Sequence, residues 1–312
     1  MSATAPVAHP AGGRTIESLL ARLATLPPQT SLTLEQLRDQ YDAAERAFPV
    51  APGCTVDALD EPSFRGERIR PAPDAGDAAI LYLHGGGYVM GSPRSHRHLA
   101  SDLAAATGAT IYVLDYRRAP EHPFPAARDD AVAALRWLLD AGHAKAERLL
   151  IAGDSAGGGL AVAMLVALRK AGLPMPAAAA CLSPWVDLSC SLPSCSIDRP
   201  ADPVIDPRVL RAMARAYLGR RSLRTPGASP LFADLRGLPP LLVQAAADEA
   251  LTDEALALAR SAAAAGVRTT LALWPRSVHV APWYARKFAD GQRALDEVVR
   301  FVGLALQNEV TP

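Results

Sequence analysis

The sequence has few cysteines, few aromatic residues and no excess of either charge. Four cysteines in 312 residues are too sparse for a disulfide scaffold, and their spacing lacks the short pairs of a zinc site. We expect free thiols at these positions, which are Cys54, Cys181, Cys190 and Cys195. The sequence leaves open whether Cys190 and Cys195, which are close along the chain, are bridged.

The charge balance and the absence of long apolar runs argue against a nucleic-acid-binding protein and against a membrane-spanning protein. Lys plus Arg equals Asp plus Glu at 32 each, so no nucleic-acid partner is expected, because such binding needs concentrated positive charge. No apolar run approaches the roughly 18 residues of a membrane span, and the N-terminus lacks the basic start and apolar core of a signal peptide. We expect a cytoplasmic protein without membrane insertion.

Short apolar strands alternate with helical patterns along most of the chain. This alternation predicts an α/β fold with a mostly parallel central sheet covered by helices on both faces. The predicted strands cover residues 63–70, 79–84, 110–115, 148–153, 177–183, 240–246 and 269–274. The predicted helices of this region cover residues 126–141, 156–171, 253–265 and 282–306.

Two regions depart from that alternation. Residues 1–50 hold two helical patterns, 15–26 and 32–48, before any strand, and residues 185–237 are rich in Ser, Pro, Arg and Asp with one helical piece at 207–218. A long excursion from a regular α/β fold is usually a functional lid. We therefore predict an N-terminal helical cap segment (1–50), a core in two parts (51–184 and 238–312) and a cap insertion (185–237).

The pentapeptide Gly153-Asp154-Ser155-Ala156-Gly157 lies where a predicted strand meets a predicted helix. Glycines on both sides permit a sharp, strained corner that exposes the Ser155 hydroxyl above the sheet edge. The first amides of the helix point toward that hydroxyl and can hold developing negative charge. The pattern predicts that Ser155 is a nucleophile.

A second glycine-rich turn, His84-Gly85-Gly86-Gly87-Tyr88, follows another predicted strand. Without a Cβ to shield them, backbone amides of this turn can approach an anionic oxygen closely. Together with the amide of Ala156, two of these amides would form a three-donor oxyanion hole.

A serine hydroxyl needs a neighbouring base, and imidazole suits that role near neutral pH. Of the seven histidines, His279 follows the last predicted strand, the position of the base in α/β-hydrolase order. The other histidines fit the role less well; His96 and His98, for example, are predicted to lie in a polar loop.

The third member of the triad should be a carboxylate after the penultimate strand. Asp248 is the first acidic residue beyond that strand and is the predicted acid. Glu249 is its rival, and Asp253 fits better as the cap of the following helix.

These motifs make the chain resemble the bacterial hormone-sensitive-lipase family of esterases. The resemblance runs from about Ala79 to Phe288 and includes HGGGYVMGSPRSHR, DYRRAPEHPFPAARDD, AGDSAGGGLA, LSPWVDLS and DEALTD. It implies an α/β-hydrolase fold with a helical cap, the triad Ser155, Asp248 and His279, and an oxyanion hole at Gly86, Gly87 and Ala156, with Gly85 shaping the turn. The family often has Asp-Pro-Leu where this chain has Asp248-Glu249-Ala250, a departure that bears on the acid.

The resemblance implies a serine carboxylesterase that hydrolyses short- to medium-chain acyl esters through an acyl-enzyme, without a metal or nucleotide cofactor. It also implies a homodimer. Tyr88, Trp185 and Trp283 are candidate walls of the substrate pocket, although ordinary packing explains each equally well. Two alternatives stay open: a lactone hydrolase with the same triad, and a non-catalytic small-molecule receptor on the same scaffold.

Overall fold

The computed structural model of the chain describes residues 16–23, 25, 29–72, 75–198 and 202–307. Its helices are α1 (Ile16–Leu23), α2 (Leu34–Asp42), α3 (Ala44–Ala47), α4 (Pro93–Thr107), α5 (Ala126–Asp140), α6 (Ala156–Lys170), α7 (Pro207–Leu218), α8 (Thr252–Ala264) and α9 (Ala289–Gln307). Its strands are β1 (Cys54–Glu61), β2 (Phe64–Pro71), β3 (Ala79–Leu83), β4 (Thr110–Leu114), β5 (Leu149–Asp154), β6 (Ala178–Leu182), β7 (Leu241–Ala246) and β8 (Thr269–Trp274).

These strands form one sheet in the order β1-β2-β4-β3-β5-β6-β7-β8. Strand β2 runs antiparallel to both of its neighbours, β1 and β4, whereas the pairs formed by β4, β3, β5, β6, β7 and β8 are all parallel. The strands β3, β5, β6 and β7 are buried along their whole length, as expected of parallel strands covered on both faces. The structure thus confirms the predicted α/β fold with a mostly parallel sheet.

The parallel strands end at a common edge, which places the loops after them side by side. Leu83 of β3 pairs with Gly153 of β5, and Asp154 of β5 pairs with Leu182 of β6, which in turn pairs with Gln244 of β7. In open α/β sheets, ligands bind in the crevice outside the carboxyl ends of the strands. The predicted site residues all follow strands at this edge.

Alternate side chains of the strands build two hydrophobic layers. Leu81 and Leu83 of β3 face the layer that contains α5, α6, α7 and α8, whereas Ile80 and Tyr82 face the layer that contains α4 and α9. This alternation is the period-two pattern of a strand. The core therefore lies on both sides of the sheet and holds the strand ends rigidly.

Two elements were absent from the sequence prediction, namely β1 and α4. The prediction of a polar loop around His96 and His98 is wrong, because both residues lie on α4 and are almost completely buried. Ser92 caps this helix with a capping box and Pro93 occupies its first turn. The first two turns of α4 consist mostly of polar residues, so the hydrophobic pattern of its later turns was not recognised as part of a helix.

The two segments predicted to form a cap contain α2, from the N-terminal segment, and α7, from residues 185–237. Arg38 of α2 donates one hydrogen bond to the carbonyl of Val89 at 2.8 Å and forms an ion pair with Glu121 at 2.7 Å. Tyr217 of α7 stacks on Tyr88 with ring centroids 3.9 Å apart. Both cap helices are thereby fixed to the segment that follows β3. The predicted helix over residues 15–26 is described only as α1 and Thr25, and Pro27-Pro28 and residues 1–15 lie outside the described residues.

Among the described helices, none combines the length and apolarity required to cross a lipid bilayer.

Candidate active site

Ser155 occupies the sharp corner between β5 and α6. Its backbone has φ +52° and ψ −119°, a region that non-glycine residues rarely adopt and that costs about 1–3 kcal/mol. The corner is held by hydrogen bonds: the Ser155 amide donates to the Leu182 carbonyl at 2.8 Å, and the Ser155 carbonyl accepts from the Trp185 amide at 2.9 Å. A Cβ on Gly157 would lie 1.9 Å from the Leu83 carbonyl oxygen, so the helix packs too closely for any other residue there.

The oxyanion turn, residues 84–88, has two kinds of amide. Gly85 donates its amide to Asp154 Oδ1 at 3.0 Å and lies 3.1 Å from His96 Nε2, so this amide is already used within the protein. The amides of Gly86 and Gly87 have no acceptor among the described residues, and these glycines have φ values of +116° and +61°. Gly85 therefore holds the turn, and the structure gives no support for its amide as an oxyanion donor.

The amide of Ala156 is the first of α6, and it also has no acceptor among the described parts of the chain. It lies beside the Ser155 side chain and at the positive end of the helix. The amides of Gly86, Gly87 and Ala156 are thus three donors that a substrate oxygen can use.

Asp154 anchors the oxyanion turn from below. Its carboxylate is completely buried and accepts hydrogen bonds from the Tyr82 hydroxyl at 2.8 Å and from the Gly85 amide, with His96 Nε2 at 3.3 Å. Burial by itself would raise the pKa of Asp154, but the charge and hydrogen bond of His96 and the bond from Tyr82 outweigh it and lower the pKa. Asp154 is therefore an ionised support of the turn.

His279 contacts a buried carboxylate, and that carboxylate belongs to Glu249. The distance from His279 Nδ1 to Glu249 Oε2 is 3.2 Å, and the same oxygen accepts a hydrogen bond from the Ser183 hydroxyl at 3.0 Å. Because a carboxylate only accepts, Nδ1 carries the proton and Nε2 is the nitrogen left to act as a base. His279 is 6% exposed and Glu249 is 3% exposed.

Ser155 and His279 flank the end of β6. The amide of Ser155 bonds to the carbonyl of Leu182, and the hydroxyl of the next residue, Ser183, accepts the amide of Val280 at 3.0 Å. Ser183 and Val280 have φ values of +46° and +53°, so two further strained residues shape this crossing. Leu182 and Ser183 therefore hold the backbone of both the Ser155 corner and the loop that carries His279.

The charges around His279 favour its protonated form. Burial would lower the pKa of His279, but the charge and hydrogen bond of Glu249, together with the charges of Asp202 and Asp154, raise it above its ordinary value. Burial also raises the pKa of Glu249, and the neighbouring imidazole only partly offsets this. The site thus stabilises an imidazolium, the species that forms when the base accepts a proton.

The geometry contradicts the prediction that Asp248 contacts the base. Asp248 is exposed to solvent and lines a separate cleft of about 250 Å³, whereas Glu249 is buried against His279. After β7 ends at Ala246, the second residue, Asp248, exposes its side chain to solvent, and the third, Glu249, turns its side chain inward. The family pattern Asp-Pro-Leu indicates Glu249 as the acid when its leucine is aligned with Leu251. An acidic residue two positions before leucine fits Glu249-Ala250-Leu251 better than Asp248-Glu249-Ala250.

The prediction that Asp253 caps α8 is also wrong. Helix α8 begins at Thr252, and the carboxylate of Asp253 instead accepts the amide of Ser194 at 2.7 Å.

The three candidate pocket residues have different surroundings. Tyr88 and Trp185 are completely buried, with ring centroids 6.1 Å apart, on the side of the sheet that faces α7. Trp283 packs edge-on against His96 and His98, with ring centroids at 4.6 Å and 4.7 Å. Trp283 therefore packs on the opposite side of the sheet, against His96, which contacts the Asp154 carboxylate that holds the oxyanion turn.

Comparison with known proteins identifies the family. A family model for the alpha/beta hydrolase fold matches residues 80–282. An acetyl-hydrolase of Streptomyces hygroscopicus is 47% identical over 275 residues, which cover 87% of this chain and 90% of that relative. The chain belongs to the bacterial hormone-sensitive-lipase family of α/β-hydrolase esterases.

Solved structures agree with this assignment. The crystal structure of an esterase from the bacterial hormone-sensitive lipase family superimposes with a TM-score of 0.87 at 40% identity, covering 93% of this chain and 97% of that one. The structure of EstE5 soaked with p-nitrophenyl butyrate superimposes with a TM-score of 0.88 at 42% identity, covering 93% and 98%. The α/β-hydrolase esterase fold is thus common to the family and to this chain.

Proposed function

We propose that this esterase-family protein is a serine carboxylesterase that hydrolyses short- to medium-chain acyl esters through an acyl-enzyme, with Ser155, His279 and Glu249 as its triad. The observation that supports this most directly is the buried contact between His279 and Glu249, at the sheet edge where Ser155 occupies a strained corner. A packing role alone would not require a serine in that backbone conformation.

In the first half-reaction, the hydroxyl of Ser155 attacks the ester carbonyl while Nε2 of His279 takes its proton. The carbonyl oxygen becomes an oxyanion and accepts hydrogen bonds from the amides of Gly86, Gly87 and Ala156. Glu249 stabilises the imidazolium through Nδ1. The intermediate collapses as the C–O bond to the alcohol breaks, and the alcohol leaves with the proton from Nε2.

In the second half-reaction, water replaces the alcohol. His279 takes a proton from the water as its oxygen attacks the acyl carbon, and the same amides hold the second oxyanion. Collapse releases the acid and returns the proton to Ser155. Since loss of one oxyanion donor typically costs about 3 kcal/mol, the three amides supply a large part of the rate enhancement.

The preference for short to medium acyl chains is supported by the cap and by the relatives. The side chain of Met213 lies against Gly87, because a Cβ built on this glycine would be 2.2 Å from Met213 Sδ. Helix α7 thus closes directly over the oxyanion turn and limits the space beside the reacting carbonyl. One relative is named an acetyl-hydrolase, and a butyrate ester was soaked into crystals of another.

The test is Ser155→Ala assayed with p-nitrophenyl acetate and p-nitrophenyl butyrate. We expect kcat to fall by at least about 10³-fold, because the nucleophile is lost while the oxyanion donors remain. Ser261→Ala on α8 is the matched control, a serine outside the proposed site, and should retain wild-type turnover. Undiminished turnover by Ser155→Ala would end the proposal.

A further inference from the structure

Asp202 links the cap insertion to the loop that carries Glu249. One carboxylate oxygen, Oδ1, accepts the amides of Val204 at 2.7 Å and Ile205 at 3.0 Å, within the cap insertion. The other, Oδ2, accepts the amide of Ala250 at 2.7 Å, 48 residues further along the chain. The side chain of Asp202 therefore joins the cap insertion to the Glu249 loop by direct hydrogen bonds to both segments.

The partner in the second segment is the residue next to Glu249. Fixing the Ala250 amide fixes the peptide between Glu249 and Ala250, and hence the direction in which the Glu249 side chain leaves the backbone. The carboxylate of Glu249 has two partners, His279 and Ser183, and both bond to the same oxygen, Oε2. A small rotation of this peptide would therefore disturb both bonds at once.

The charges that act on the base come from three carboxylates. His279 is influenced by Glu249, which it touches, and by Asp202 and Asp154 at longer range. Around Asp202 itself, the charged side chains of the shared cleft are Asp206, Arg208 and Asp248. Arg208 is already paired with Asp206 at 3.0 Å, so it does not neutralise Asp202 by direct contact.

We propose that Asp202 is a positioning residue for the esterase reaction: it orients the Glu249 loop through the Ala250 amide, and its negative charge acts on His279. This inference rests on the proposed triad and extends it into the cap. It makes the cap insertion a part of the catalytic support as well as a cover for the substrate.

The test is Asp202→Asn, which keeps the size of the side chain but removes its charge and leaves only one acceptor oxygen, so the local amides and the Ala250 amide can no longer both be accepted. We expect kcat to fall about tenfold, equivalent to about 1.4 kcal/mol, with a smaller change in KM. The acid limb of the kcat/KM profile should also move. In the wild type the raised pKa of His279 makes activity disappear as pH falls through that pKa. Without the charge of Asp202 the pKa drops, so the limb shifts to lower pH.

Asp206→Asn is the matched control. Asp206 is in the same insertion, lines the same cleft and also accepts a backbone amide, that of Arg208 at 2.8 Å, but has no hydrogen bond to the Glu249 loop among the described residues. This variant should leave the acid limb in place. A second variant, Asp202→Ser, retains a short acceptor for the local amides and should shift the limb in the same direction as Asp202→Asn.

An unshifted acid limb in a folded Asp202→Asn or Asp202→Ser protein would overturn the proposal, as would an equal shift in Asp206→Asn. Loss of the folded state in both Asp202 variants, judged by thermal melting, would show a purely structural role and would overturn it too. These failures are distinct from failure of the proposed function, which Ser155→Ala tests separately.

Discussion

The exchange of Glu249 for glutamine tests which acidic residue serves the base. Glutamine fills the same buried space, but its amide can donate to Nδ1 of His279 and thereby favour the tautomer that carries its proton on Nε2. That nitrogen then cannot accept the proton of Ser155. The matched variant is Asp248→Asn, an identical chemical change one residue earlier, on an exposed side chain.

The magnitude follows from the contact. A hydrogen bond to a charged group contributes about 1.5–3 kcal/mol, so loss of the 3.2 Å contact alone predicts a fall in kcat of about 10- to 150-fold. The wrong tautomer adds to this, since the equivalent carboxylate-to-amide change in a serine protease costs about 10⁴-fold. We expect Glu249→Gln to lose between about 10² and 10⁴ in kcat and Asp248→Asn to stay within about threefold of wild type.

The assay is steady-state hydrolysis of p-nitrophenyl butyrate at pH 8, with thermal melting to show that both variants are folded. A large loss of kcat in Asp248→Asn, together with wild-type turnover in Glu249→Gln, would show that Asp248, and not Glu249, is the acid of the triad.

Two further predictions concern residues around the triad. Gly87→Ala should lower kcat at least about tenfold, because a Cβ at this position meets Met213 Sδ at 2.2 Å and the φ of +61° disfavours alanine. Adding Met213→Ala to the same chain should restore part of the lost kcat. No recovery of kcat in the double variant would contradict this contact. Glu254 is completely buried, accepts the amides of Val186 and Asp187, and has a pKa that burial raises well above its ordinary value. Its contribution to stability is therefore full below the unfolded-state pKa of about 4.3 and is lost as pH rises through the folded-state pKa. Glu254→Gln should accordingly melt at a higher temperature than wild type at pH 9 and near the wild-type temperature at pH 5. A lower melting temperature of the variant at pH 9 would contradict this prediction.

Much of the fold could be predicted because its signals are local. The buried strand β5, the corner at Ser155 and the glycines of the oxyanion turn each follow from a few adjacent residues and from backbone sterics. The order serine, acid, histidine then placed His279 in the loop after β8. These features depend on strand order and chain direction, which the alternation of strands and helices already determines.

The choice between Asp248 and Glu249 depends on a different kind of information. Adjacent side chains point in different directions, and the turn after β7 decides which of the two faces His279. The bond from Thr252 Oγ1 to the Ala246 carbonyl at 2.8 Å helps to define that turn, but nothing in the sequence around it shows that the bond forms. The contact of Asp202 with Ala250 is likewise a tertiary contact, which no sequence periodicity indicates.

Helix α4 was missed for a third reason. His96 and His98 look like surface residues in a polar stretch, yet both are buried against Trp283, and His96 also lies beside Asp154. Buried polar groups of this kind need partners distant in the chain. A pattern of hydrophobic residues therefore underestimates how much of α4 is core.

The most direct test of the account is to locate the covalent adduct formed by a fluorophosphonate probe, using peptide mass spectrometry of the wild-type protein and Glu249→Gln. We expect one adduct, on Ser155, that forms rapidly in the wild type and at least about 10²-fold more slowly in Glu249→Gln. Labelling at another residue, or equal rates in the two proteins, would contradict it.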